Sequence, residues 1–296
     1  MEAVVADLVA AMEAGAGDWS MPWRAMAATG WPTNATTANR YHGGNALWFS
    51  LVAHTEGYSS HRWATYKQWA SVGAQVRKGE HGTAGIYWNV TPAETVTETD
   101  ATTGDDVTLT SGERVGWARA FTVFNADQVD GDPHPSTRPG PVTPMERLAH
   151  CEAFFDPIPA EIEWGTGNPA YSPRRDVVIM PAFDAFTSAE HVYGTLAHEL
   201  AHWTGHPDRL ARAFGARFAD HAYAAEELVA ELSAAFTCAL VGIEAATRTD
   251  HAAYLAHWCQ LLTEKPATLW TVAAKAQAAT DHLAAYHTPN TLGGAA

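Results

Sequence analysis

Apolar residues recur along this chain with two periods, and the balance between them shifts near the midpoint. Val5, Leu8, Val9 and Met12 fall on one face of a 3.6-residue repeat, which predicts a helix over 2–14. Shorter helices are expected over 44–54 and 65–71. The runs 78–90 and 118–129 combine β-branched and aromatic residues between glycine turns and read as strands. Later the pattern becomes helical. A helix is expected near 143–155 and short strands at 161–164 and 176–180, followed by Ala- and Leu-rich helices at 188–204, 222–241, 249–262 and 266–285. The expected class is α+β, with a small mixed unit followed by a mostly helical unit that carries a short sheet.

Pro133, Pro135, Pro139, Pro141 and Pro144 crowd one stretch where neither helix nor strand ladder can continue. A linker is therefore expected at 131–142, between a domain of 1–130 and one of 143–296. The Thr- and acid-rich stretch 91–113 contains Gly104-Asp105 and reads as an exposed hairpin or flexible insertion.

Composition narrows the class. A chain of 296 residues can bury a sizeable core, which excludes a peptide hormone. Three cysteines, Cys151, Cys238 and Cys259, without CxxC spacing suggest free thiols rather than a disulfide scaffold. The N-terminal stretch carries Glu2, Asp7 and Glu13 with no early Lys or Arg, unlike a signal peptide, and no run is long enough to span a membrane. The expected location is cytoplasmic.

His198-Glu199-Leu200-Ala201-His202 is an HExxH sequence. On a helix, residues four apart share a face about 6 Å apart along the axis, so both imidazoles can reach one metal while Glu199 serves as base. An HExxH arises by chance in roughly one in twenty chains of this composition, so its context has to carry the assignment. The expected helix begins with a Thr187/Glu190 capping box and offers Val192, Leu196 and Leu200 to a core.

A third ligand is needed. His206 follows four residues after His202, but a straight helix would put it about 12 Å from His198, and Gly205 and Pro207 suggest that the helix stops. Glu227 and Glu231 lie four apart on one face of the 222–241 helix, with Glu226 pointing elsewhere. One carboxylate would ligate and the other would orient an imidazole; Glu227 is taken as ligand and Glu231 as the supporting acid, with the reverse also open. The same acids also suit a solvated helix face. A His2Glu set accepts Zn2+ or another divalent ion such as Mn2+.

The formal charge of -15 argues against nucleic acid only when averaged over the whole chain. Between Ser20 and Pro92 six cations face two carboxylates, a net +4, and eight of the 12 Trp fall within 1–130. Rings interleaved with cations suit single-stranded nucleic acid, because bases stack while Lys and Arg follow the phosphates. The candidates are Arg40, Tyr41 and Asn45 in NRYHGGNALW, Trp63, Tyr66 and Lys67 in WATYKQW, and Arg77 and Lys78 in VRKGEHG. The competing reading makes these Trp core residues.

LAHELAHWTGHPDRL, YAAEELVAELSAAFTCALVGI and AYSPRRDVVIMPAF together resemble the metallopeptidase-like domain of the ArdC antirestriction family, encoded on conjugative plasmids and related mobile elements. The resemblance covers 143–285. It implies a zincin-like fold with His198 and His202 as ligands, Glu199 as catalytic base and the strand 176–180 beside a substrate cleft. PWR, the YxGxNxLW pattern from Tyr41, WxTYxQ from Trp63 and GxxVRKGExG from Gly73 are similar to the same family's N-terminal pattern, which implies single-stranded DNA binding. Phe49 and His81 depart from that pattern.

Three functions follow. The first is an antirestriction protein that coats incoming single-stranded DNA and carries a metal-dependent peptidase-like site. The second is a metalloprotease that cleaves DNA-bound protein substrates. The third is a single-stranded DNA-binding protein with a structural metal. The oligomeric state is left open.

Overall fold

The computed structural model describes residues 30–91, 95–99, 106–110, 114–133, 144–212, 221–243, 258–260, 262–264 and 268–287, with Ala6 and Val9. The expected helix 2–14 lies outside these residues except at Ala6 and Val9, both helical, and so do most of the linker and most of the 249–262 helix.

The first half holds β1 (Thr33–Asn34), α1 (Gly43–Thr55), β2 (Arg62–Ala64), α2 (Tyr66–Ser71), β3 (Gln75–Val76), β4 (Thr83–Thr91), β5 (Thr95–Thr99), β6 (Asp106–Thr110), β7 (Arg114–Asn125) and β8 (Val129–Asp130). A four-stranded sheet runs β1-β2-β7-β4, and β3-β8 and β5-β6 form two-stranded pairs. The stretch 91–113 therefore contains an antiparallel ladder, Thr95 opposite Thr110 through Thr99 opposite Asp106. The expected strand 78–90 starts only at Thr83. Before it, Gly79 takes φ 93° and Arg77 pairs with Glu80 at 2.8 Å, which closes a turn. The expected strand 118–129 stops at Asn125, whose side chain caps the short 3-10 turn Ala126–Gln128. Thr65 and Gln68 form a capping box that starts α2.

Strand β4 is a sheet edge, and α1 covers its open side. Asn45 Nδ2 donates to the Ile86 carbonyl at 2.7 Å and Asn45 Oδ1 accepts from the Ile86 amide at 2.9 Å. Trp48 Nε1 donates to the Ala84 carbonyl at 3.0 Å. The Asn45 amide thus replaces a neighbouring strand, which protects an edge otherwise open to pairing.

The second half holds α3 (Pro144–Phe155), β9 (Glu161–Gly165), β10 (Ala170–Ser172), β11 (Val177–Pro181), α4 (Ala189–Thr204), α5 (His221–Val241) and α6 (Thr268–Ala284). Its sheet runs β10-β11-β9, with β11 parallel to β9 and antiparallel to β10. Val178 and Met180 of β11 pack in one cluster with Val192, Leu196 and Leu200 of α4. The helix starts one residue later than expected. Ser188 is its cap, accepting from the His191 amide at 3.1 Å, while Thr187 Oγ1 lies 3.1 Å from His191 Nδ1.

One apolar cluster joins the two halves. Trp31, Ala46, Leu47 and Leu51 pack with Leu228, Leu232 and Phe236 of α5 and with Leu269, Val272 and Ala276 of α6. The Gly43 amide donates to Gln277 Oε1 at 3.1 Å. Gly44 meets α6 so closely that an added Cβ would sit 1.9 Å from Trp270 Cε3. All three cysteines are buried and none is in a disulfide, and burial pushes the Cys151 thiol up to about 12, helped by Glu190 and Glu152. No described helix is long and apolar enough to cross a membrane.

Candidate functional site

Helix α4 presents His198 and His202 on one face, and α5 presents Glu227 and Glu231 on the face opposite; within each helix the pair is four residues apart. His198 Nε2 and His202 Nε2 lie 3.1 Å apart, and the Glu227 carboxylate oxygens lie 3.6 Å and 3.5 Å from them. These three donor atoms fall within 4.8 Å of one another. A tetrahedral site with bonds near 2.0 Å separates neighbouring ligand atoms by about 3.3 Å, so the trio has the spacing of a shared coordination sphere.

The other edge of each imidazole meets an acid. His198 Nδ1 lies 3.0 Å from Glu231 Oε1, and His202 Nδ1 lies 3.3 Å from Glu226 Oε1. Sequence reasoning directed Glu226 away from the site, whereas it stands behind His202. Burial alone would raise the Glu227 carboxyl, but the neighbouring His198 and His202 rings outweigh it and hold it down at about 2. Glu199 is 3% exposed, so its carboxylate is buried rather than on a solvated face.

The cluster is acidic and dry. Glu199, Glu226, Glu227 and Glu231 are all buried, and taking carboxylates out of water costs several kcal/mol each unless they are compensated. Arg212, 8% exposed, offsets one of these four charges through Glu226 at 2.8 Å. A divalent cation would offset two more, and the donor set fits such an ion.

Helix α4 ends as its sequence predicts, capped by Gly205. His206 therefore leaves the helix axis: its Nδ1 accepts from the Asp208 amide at 3.3 Å, and it is not part of the donor trio. The loop that follows is bound back to the helix, with Leu210 N donating to Thr204 O at 3.0 Å and Arg212 N to Gly205 O at 3.0 Å. Arg209 stacks 3.9 Å over Trp203 and pairs with Asp176, itself bonded to the Tyr171 hydroxyl at 2.8 Å.

The nucleic-acid candidates divide sharply. Trp63 is fully buried and stacked on Phe49, ring centroids 5.2 Å apart, so it offers no face to a base. Trp31 and Trp69 are core residues as well. Asn45 clamps β4. The half-buried Tyr41 donates to the Trp63 carbonyl at 3.4 Å and packs edge-on to Phe49. Arg77 is held by Glu80, and Arg40 lies 5.9 Å over the Trp31 ring. Tyr66, at 50% exposure, and the exposed Lys67 and Lys78 keep the surface that strand binding needs, and neither lysine has an ion pair among the described residues. Tyr87, 57% exposed, is a further aromatic candidate not named from the sequence; it stands opposite the exposed Arg119 across β4 and β7. The alternation around Gly85 was the available signal.

The chain matches two family profiles. One is described as the N-terminal domain of anti-restriction factor ArdC, over residues 1–124, and the other as a zincin-like metallopeptidase, over residues 149–275. It is 38% identical to the uncharacterized protein y4eC of Sinorhizobium fredii, covering 95% of this chain and 90% of that one. It is also 38% identical to a DNA primase TraC of Escherichia coli over 96% of this chain, which spans 27% of that protein's length. Among solved structures, the metal-free antirestriction ArdC protein from R388 plasmid is 32% identical with a TM-score of 0.74 and 96% of each chain covered. The Mn(II)-bound form of that protein gives 30% identity, a TM-score of 0.74 and coverage of 97% and 98%.

Proposed function

Because the chain belongs to the family of the antirestriction protein ArdC, we propose that it protects incoming mobile-element DNA from host restriction by binding single strands through its first half. Its zincin-like second half carries a divalent-metal, peptidase-like site. The observation that carries this reading is the convergence of His198, His202 and Glu227, in a chain whose two halves match both parts of that family. The Mn(II)-bound relative supports a divalent cation, which we place at this trio as Zn2+ or Mn2+.

When bound, that cation supplies Lewis acidity for attack on a peptide carbonyl. His198 and His202 would hold it through Nε2 and Glu227 through its carboxylate. Glu231 and Glu226 fix the two rings from behind. Glu199 would accept a proton from the water that attacks the carbonyl and return it to the leaving amine as the C–N bond breaks. On the DNA side, Lys67 and Lys78 meet phosphates while Tyr66 and Tyr87 offer rings to bases, with Arg40 and Arg77 as flanking cations.

A second reading, a metalloprotease directed at DNA-bound proteins, is favoured by the shared core, which seats the first half against the helix that bears the carboxylates. Glu199→Gln, assayed for metal content, proteolysis and restriction protection, separates the readings. Metal retained, cleavage lost and protection kept is the expected result. Protection lost along with cleavage would favour the protease reading. For the DNA half, Lys67→Ala with Lys78→Ala should flatten the dependence of log Kd on log salt by about 1.4, at ~0.7 per phosphate contact on a single strand. Unchanged affinity and slope would remove this face from the interface.

A further inference from the structure

We infer that Arg212 is a positioning residue for the metal centre: through Glu226 it holds His202 with the proton on Nδ1 and the Nε2 lone pair turned toward Glu227. The inference rests on the reading of this cluster as a metal site.

Arginine is rarely this deeply buried unless it is paired. Arg212 comes from the loop after α4, and its guanidinium is fixed at three places. Nη2 donates to Glu226 Oε1 at 2.8 Å and Nε to Glu226 Oε2 at 3.1 Å, a two-pronged grip that sets the plane of the carboxylate. Nη1 donates to Thr204 Oγ1 at 2.8 Å and Nη2 to the Ala201 carbonyl at 2.5 Å, so the same group also clasps the last turn of α4. Glu226 Oε1 then faces His202 Nδ1. A carboxylate kept ionised by its arginine can only accept, so the ring nitrogen facing it must carry the hydrogen, and the opposite nitrogen is left with the lone pair that a metal requires. Without the guanidinium, Glu226 loses the two bonds that set the plane of its carboxylate; once turned away from His202, it no longer dictates the tautomer. Lysine cannot substitute fully, because a single ammonium does not set the plane of a carboxylate.

The test compares wild type with Arg212→Lys, Arg212→Met and the double variant Arg212→Met/Glu226→Gln. The double variant removes both charges, so the fold is not burdened by an unpaired buried carboxylate. Mn2+ affinity is measured by titration calorimetry, the His202 tautomer by nitrogen-15 NMR of the metal-free protein, and single-stranded DNA affinity serves as the control for folding. Expected are Mn2+ binding weaker by about 10- to 100-fold in Arg212→Met and in the double variant, a smaller loss in Arg212→Lys, a His202 proton no longer confined to Nδ1, and unchanged DNA affinity. A folded double variant with wild-type Mn2+ affinity and an unchanged tautomer would overturn the proposal and leave Arg212 as a loop anchor only. If wild type bound neither Mn2+ nor Zn2+, the metal-site reading would fall, while the tautomer comparison would still decide whether Arg212 positions His202.

Discussion

Asp176 adopts the left-handed backbone region, φ 53°, just ahead of β11, and its carboxylate accepts from both terminal nitrogens of Arg209. That hydrogen bonding, aided by Tyr171, holds the carboxyl below its usual range. A depressed carboxylate contributes stability above the unfolded-state value and loses it as pH falls through the folded one. Asp176→Asn keeps the backbone conformation, which Asn tolerates, and removes only the charge. We expect it to cost about 1 kcal/mol at most near neutral pH, given the partial exposure of the pair, with the gap in melting temperature to wild type closing as the solution is acidified. A gap independent of pH would assign the effect to something other than the ion pair. At this scale the sequence was legible wherever one helix supplied the geometry: His198 with His202, and Glu227 with Glu231, follow from spacing alone. Glu226 did not, because its role depends on Arg212, which lies across a loop, and on how α4 faces α5.

Among the elements, α4, α5 and α6 emerge from their apolar period because each is long enough to repeat it. β1, β2 and β3 have two or three residues each, too few for alternation to register, and Arg62–Ala64 is visible as a strand only through its partners β1 and β7. Trp63 shows the cost of reading composition without an element: beside Lys67 it resembled a stacking platform, but its place in β2 turns it into the core. Asn45, read from the sequence as an interface candidate, has both ends of its amide engaged by Ile86. Its two bonds to Ile86 support one edge, so Asn45→Ala should destabilise the protein by about 1–3 kcal/mol through unsatisfied backbone groups. It should also increase self-association at high concentration and leave DNA affinity per folded molecule unaltered. Chemical denaturation and light scattering test both halves of that expectation, and a stable, monodisperse variant with weakened DNA binding would return Asn45 to the interface.

For the molecule as a whole, the decisive contact is between the halves. The Gly44 Cα faces Trp270 with no room for a methyl group, so Gly44→Ala should cost about 1–3 kcal/mol by overpacking. Trp270→Leu should recover much of that loss, and a double-mutant cycle without coupling would refute the contact. The charge map also acquires a cause at this scale. Of the cations that gave the first half its positive island, Arg62 is occupied by Asp132 at 2.5 Å and Arg77 by Glu80, which leaves the exposed Arg40, Lys67 and Lys78, among the described residues, to set the local field. The joint cluster around Phe236 has a genetic consequence. A recombination breakpoint in the segment between the halves would strip Leu228, Leu232 and Phe236 of their cover on one product and Leu47 and Leu51 on the other. Neither piece could be exchanged alone without a new partner for that surface, so the two halves would be inherited as a single cassette.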